Sequence, residues 1–276
     1  MGVFSRRSSR QEPFDVTHRF STSWLLPPPF LLALRALISL YIFVTLIFIL
    51  AWDGAQNLGV NDERHFSYFT NLTNWGLAFY FLFAALHTGS YWRRGAAWLE
   101  WWWGWLQWLH GVFYSSIVVF PFVVTIVYWS ILAPSHFSST NDLWRNTSQH
   151  ALNSVFAFLE IFIPRTDPPS WWHLIPLTVI LALYLALTYL TYGTQHFYVY
   201  NFLDWAQVGG RGVVAGYCIG ILVGMWIVFA LVKGLISGRK WVVEGKMGMD
   251  GKFTRKASRR VNEADMDIEI QQLTQK

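Results

Sequence analysis

The chain has 276 residues, of which 54% are hydrophobic, 18% aromatic and 13% charged, with a formal net charge of +5. Soluble domains carry about 45–50% apolar and about 25% charged residues, so an ordinary soluble globular protein is excluded, as are a coiled coil and a dominantly disordered chain. A disulfide scaffold is excluded too, because Cys218 is the one cysteine.

Charge collects before residue 24 and after residue 236, leaving an apolar middle. About 20 apolar residues cover the hydrocarbon of a bilayer, and stretches near that length predict an all-α polytopic membrane domain over residues 29–236. Six transmembrane helices are expected, at 29–52, 68–88, 106–132, 147–163, 171–192 and 212–236. Pro27, Pro28 and Pro29 mark the start of the first, and Pro121 is placed to kink the third. The fourth is short, carries His150, Asn153, Ser154 and Glu160, and ends at Pro164 and the run Asp167-Pro168-Pro169. Residues 1–28 are expected to form a cytoplasmic N-terminal segment. Residues 237–276, basic and then acidic, are expected to form a disordered cytoplasmic tail.

Positive residues in short flanks are retained on the cytoplasmic side. Sixteen Lys and Arg flank the spans on the side of both termini, against three (Arg64, Arg145 and Arg211) on the other. Both termini are therefore expected in the cytoplasm. Arg35 and Lys233 lie inside the first and last spans, where long side chains are expected to snorkel to the interface. No apolar stretch precedes residue 24, so the first span is expected to act as its own insertion signal. The indoles of Trp98, Trp101, Trp102, Trp103, Trp105 and Trp108 read as an interfacial belt. With only Arg93 and Arg94 beside them they make no base-stacking platform, and no nucleic-acid partner is expected.

Polar side chains inside spans carry the functional information, because each costs free energy unless it is paired or faces a cavity. The second helix opens Tyr68-Phe69-Thr70-Asn71-Leu72-Thr73-Asn74, with Thr70 and Asn74 one turn apart on one face. In the fourth, His150, Asn153, Ser154 and Glu160 share a stripe. Helices two and four start on the same side, so Thr70 and His150 are expected at similar depth. The fifth helix ends there, delivering Tyr192, Tyr198 and Tyr200 among others. Two readings stand open. One is interhelical hydrogen bonding. The other is a cavity in which Thr70 is a nucleophile, His150 its base, and Asn71, Asn74 or Asn153 oxyanion-stabilising or orienting groups. Glu160 is expected to be neutral or hydrogen-bonded within the bundle, in a structural role. His87, His110 and His173 collect near the cytoplasmic side without a convincing acid, and no HExxH or CxxC occurs, so no metal or other cofactor is expected.

Tyr68-Phe69-Thr70, Gln149-His150-Ala151-Leu152-Asn153, and Tyr198-Val199-Tyr200-Asn201-Phe202-Leu203 followed by Gly209-Gly210-Arg211-Gly212 resemble the androgen-induced and androgen-dependent transmembrane proteins. The similarity covers roughly residues 35–235. It implies six helices with cytoplasmic termini and threonine-dependent hydrolysis of fatty acid esters of hydroxy fatty acids, with Thr70 at the nucleophile's place. The family's fourth helix carries two histidines three residues apart, and the second is catalytic. Here the first is His150 and the second position is Asn153, an amide without a basic nitrogen. Thr73-Asn74-Trp75-Gly76 and His150-Ala151-Leu152-Asn153-Ser154 look more like the rolling-stone-like membrane proteins, and the run from His150 to Thr166 with Phe197-Tyr198-Val199-Tyr200-Asn201-Phe202-Leu203-Asp204 looks like fungal members of this broad group. That likeness implies no catalysis and action through lipid or protein contacts. The expected location is an endomembrane or the plasma membrane, and the expected partners are membrane lipids, a lipid ester among them.

Overall fold

The computed structural model describes residues 14–56 and 63–249, with Gly251 and Phe253. Residues 1–13 of the N-terminal segment and the tail from 254 onward, where disorder is expected, lie outside the described residues. The described elements are helical, apart from an isolated bridge between Ser23 and Pro164. They are α1 (Pro28–Ala55), α2 (Phe69–Arg94), α3 (Gly104–Val127), α4 (Thr140–His150), α5 (Leu152–Phe162), α6 (Leu174–Gln195), α7 (Trp205–Val208) and α8 (Arg211–Lys240). Wide turns over Tyr128–Leu132 and Trp241–Lys246 prolong α3 and α8, and a tight turn over Trp171–His173 leads into α6. Four helices, α1, α3, α6 and α8 with these extensions, are long and apolar enough to cross a membrane.

Local chemistry sets the ends of these helices. Pro28 at the first position of α1 lacks an N–H that the helix has no use for. Gly95 ends α2 at φ 82°, a left-handed conformation that a side chain would strain. Along α1 the buried residues Leu31, Arg35, Ile38, Ile42, Leu46, Ile49 and Asp53 recur at spacings of three and four, one face of the helix. That face packs on Leu77, Ala78, Phe81 and Ala84 of α2, where the Ser39 hydroxyl donates to the Ala78 carbonyl at 2.9 Å. Leu37, Leu40, Val44 and Ile47 on the remaining surface of α1 are exposed. Against lipid such exposure costs nothing, and close packing with interhelical hydrogen bonds holds the helices together.

The fourth expected span, 147–163, is not one helix. The chain breaks at Ala151 (φ −123°), between α4 and α5, each of 11 residues. α4 is mostly polar, and its start is capped by Ser139, whose hydroxyl accepts from the Asp142 N–H at 3.1 Å. At about 1.5 Å per residue α5 is roughly 16 Å long, about half the hydrocarbon thickness. Both of its ends therefore need partners from elsewhere. At the break, the His150 carbonyl accepts from the Thr125 hydroxyl at 2.7 Å and the Trp129 indole at 3.1 Å, while the Asn153 side-chain oxygen accepts from the Ser154 N–H at 2.7 Å. At the other end the Ile161, Phe162 and Ile163 carbonyls accept from Arg239, the Trp24 indole and the Ser23 hydroxyl. The Arg239 cation also suits the negative end of the helix. Elsewhere α2 runs beyond its expected end at 88, and α8 runs past 236 into the expected tail.

Arg35 does not snorkel. It is 0% exposed and forks onto Glu160, with Nε to Oε2 at 3.2 Å and a terminal nitrogen to Oε1 at 2.5 Å. The other terminal nitrogen donates to the Phe20 carbonyl at 2.8 Å and the Thr88 hydroxyl at 2.7 Å. The Tyr80 hydroxyl completes the acid's shell at 3.0 Å. A carboxylate and fixed acceptors within reach replace the interface as the guanidinium's solvent. Glu160 has the hydrogen-bonded, structural placement expected of it. Lys233 is half-buried and donates to the Pro169 carbonyl at 2.6 Å.

Two predictions follow from these contacts. Leaving one member of a buried ion pair alone costs about 3–5 kcal/mol. Glu160→Leu is expected to lose that much in detergent unfolding, Glu160→Gln less, and Arg35→Met with Glu160→Leu is expected to regain most of it. A double variant no more stable than Glu160→Leu would contradict the pairing. The second concerns Asp15, whose carboxylate accepts from the Arg19 N–H at 2.6 Å and the Phe20 N–H at 2.9 Å. Burial pushes this carboxyl up from 3.8 to about 6, against the lowering effect of those bonds. Because the folded value is the higher one, the stabilisation is full below the ordinary value and is lost as pH rises through about 6. Hydrogen-exchange protection factors at Arg19 and Phe20 should therefore be larger at about pH 5 than at about pH 7.5, and Asp15→Asn should remove the difference.

Candidate functional site

A cavity of about 260 Å³ lies between α3, α6 and α8, under the 198–203 segment. Its body is apolar, with Val123 and Val127 from α3, Leu181 and Leu185 from α6, and Leu222 from α8 on its walls. Its polar end is the start of α2. There Thr70, in the first turn and 9% exposed, faces the same space as the rings of Tyr184 and Tyr200.

The first N–H groups of a helix have no partner within it. Here the Phe69 N–H is shared by the hydroxyls of Tyr184 at 3.0 Å and Tyr200 at 3.1 Å. Tyr184 spends its own proton on the Ser67 carbonyl at 2.9 Å. The side chain of Thr70 stands beside the Tyr200 hydroxyl at this end of the cavity. Burial pushes the Tyr200 phenol up from its ordinary value, so at neutral pH it is a donor and not a base. The Thr70 and Asn71 N–H groups find no acceptor among the described residues. The polar end therefore offers donors, at a helix terminus whose dipole favours negative charge. Such a set suits the carbonyl or carboxylate end of a molecule whose remainder is hydrocarbon.

The other expected site residues lie outside the cavity. The His150 ring lies flat on Tyr128, with centroids 3.5 Å apart and 3° between planes, and its Nδ1 is buried without a partner. Tyr128 lines the cavity and His150 does not, so the imidazole reaches it only through that ring. No hydrogen bond joins Thr70 to His150. Asn74 donates to the Gln149 carbonyl at 3.2 Å, tying α2 to α4. Asn153 spends its oxygen on the start of α5, and its Nδ2 is buried without a partner. Asn71 accepts from Gln149 at 2.8 Å and donates to the His65 carbonyl at 2.8 Å. These amides hold α4 over the start of α2 and so fix where Thr70 stands.

Two residues that shape this region carry no signal in the sequence. Tyr184 sits in an apolar run where an aromatic ring reads as lipid-facing, and Thr125 is a lone hydroxyl in α3. Thr125 donates to the His150 carbonyl and pairs with the Ser154 hydroxyl at 2.6 Å, joining α3 to the helix break. Of the histidines near the opposite end, His173 pairs through Nδ1 with Ser115 at 2.6 Å, but Ser115 is fully buried and does not line this cavity. Among the described residues no group of three or more His, Cys, Asp or Glu is placed to hold a metal ion. No family model, curated protein or solved structure matches this chain.

Proposed function

We propose that the chain is a multi-pass membrane protein that takes the hydrocarbon chain of a lipid into the cavity beneath Thr70, with the lipid's carbonyl end at Thr70, Tyr200 and the start of α2. The observation that carries this reading is the cavity itself, apolar along its body and supplied with hydrogen-bond donors at one end. It opens sideways between α6 and α8, where Ala182 is exposed and Ile219 is 62% exposed, the side from which a lipid would enter. A larger number of crossings than the four apolar helices is part of the proposal. α2, with 26 residues, is about 39 Å long, and α4 with α5 forms a broken sixth crossing. The charges support cytoplasmic termini. Arg19, Asp167, Lys240 and Glu244 gather at one end, whereas Asp53 with Arg145, and Arg64 over Phe197, lie elsewhere. An endomembrane or the plasma membrane is the location this reading implies.

Ester hydrolysis is the second reading, favoured by the place of Thr70 at the polar end and by the resemblance described above. Thr70 would attack the ester carbonyl, and the oxyanion would fall among the N–H and phenol donors. His150 would have to leave Tyr128 to take the threonine's proton. Binding without turnover is what the observed geometry supports best, because no base touches Thr70.

Cys218 lines the cavity and is the chain's one cysteine, which makes it a reporter. A long-chain fatty acid ester at tenfold its Kd is expected to slow alkylation of Cys218 by a small maleimide about tenfold, by mass action. Unchanged alkylation would contradict occupancy of the cavity. Fluorophosphonate labelling of the purified chain separates the two readings. If hydrolysis holds, Thr70→Ala and His150→Ala each abolish labelling. If the chain only binds, wild type stays unlabelled, and Asn153→His is the variant expected to gain labelling.

A further inference from the structure

Beside the C-terminal end of α2, residues of α1 and α2 with Trp98 and Trp101 line a groove of about 480 Å³, none of them shared with the cavity at Thr70. Leu32, Ala85, Leu86 and Gly89 form its apolar length. Gly89 makes the depth. A Cβ there would touch the Leu32 side chain at 3.5 Å, so a methyl just fits and anything larger fills the groove. Arg93 and Arg94 stand at its mouth in the last turn of α2, both exposed. Neither makes a hydrogen bond or ion pair among the described residues, although acids at this end pair with other groups: Asp167 with Arg19 and Lys240, Glu244 with Arg19, and Glu100 with the His18 ring. The Arg94 guanidinium lies 5.6 Å over the Trp101 ring. Trp98 and Trp101, both exposed, mark the headgroup level.

We propose that this groove is a binding site for an anionic phospholipid, with an acyl chain along Leu32, Leu86 and Gly89 and its phosphate on Arg93 and Arg94. Charge and shape together identify the occupant. Two uncompensated guanidiniums at the interface match a phosphate in planar, paired geometry, and the apolar length below them matches a chain that free phosphate lacks. A wholly apolar lipid would leave both cations unanswered. This site is separate from the cavity at Thr70 and does not depend on what that cavity binds.

Native mass spectrometry of the full chain in detergent tests this, titrating phosphatidylglycerol, phosphatidylcholine and inorganic phosphate. The first phosphatidylglycerol is expected to bind about thirtyfold more tightly than phosphatidylcholine, the weight of two interfacial cations. Arg93→Gln with Arg94→Gln should equalise the two lipids. Gly89→Leu, with both charges kept, should weaken phosphatidylglycerol about tenfold by filling the groove. The proposal is overturned if the preference survives the double arginine variant. It is also overturned if Gly89→Leu leaves binding unchanged, which would mean diffuse attraction to the surface. Displacement of phosphatidylglycerol by an equal concentration of inorganic phosphate would show an anion site without a lipid chain, and would overturn it too.

Discussion

The buried pair of Arg35 and Glu160 is the constraint on which the arrangement of this bundle depends. An isolated charge in an apolar interior is costly, so each of these groups must find the other and fill its remaining hydrogen-bonding capacity. Arg35 brings α1, Glu160 brings α5, Thr88 and Tyr80 bring α2, and the Phe20 carbonyl brings the N-terminal segment. Four segments distant in sequence are fixed at one point. The fixture matters most for α5, which is too short to be positioned by crossing the bilayer. With Glu160 anchored and Arg239, Trp24 and Ser23 on its last carbonyls, α5 has one depth at which its acid and its C-terminal end are answered.

That depth propagates to the cavity. The start of α5 and the end of α4 meet Thr125, whose hydroxyl takes the freed His150 carbonyl and the Ser154 side chain. The residues around Thr125 on α3, Val123, Val124 and Val127, are cavity wall. On the other flank α4 reaches α2 through Gln149, Asn71 and Asn74, which sets the start of α2 and with it Thr70. The same break that leaves His150 stacked on Tyr128 thus shapes the space into which Thr70 faces. With the His150 ring held one ring away from Thr70, lipid binding is the reading proposed for this cavity.

How much of this was legible in the sequence depends on the range of the interaction concerned. α1, α3, α6 and α8 are continuous apolar runs, and hydropathy alone finds them. Thr70 at the head of a helix follows from Tyr68-Phe69-Thr70 standing where an apolar run begins. The break at Ala151 has no proline or glycine to announce it. It is held open by Thr125 and Trp129, which lie 25 and 21 residues from the His150 whose carbonyl they bind. The partner of Arg35 lies 125 residues away, so local reading leaves the arginine with only the interface to reach for. The direction of the His150 ring is set by Tyr128, a contact that helical spacing cannot specify. The place of Thr70 in the first turn of a helix was readable, and the pairing among the polar residues was not.

The central claim is that a lipid chain enters the cavity beneath Thr70. Photocrosslinking measures it most directly, using a fatty acid ester that carries a diazirine along its chain, the full protein in a bilayer, and adducts mapped by mass spectrometry. The account predicts adducts on the cavity walls, at Leu185 of α6 and Leu222 of α8, that vanish when excess unlabelled ester is present. Adducts confined to the lipid-facing residues of α1, such as Leu37, Leu40 and Val44, and insensitive to that competitor, would contradict it.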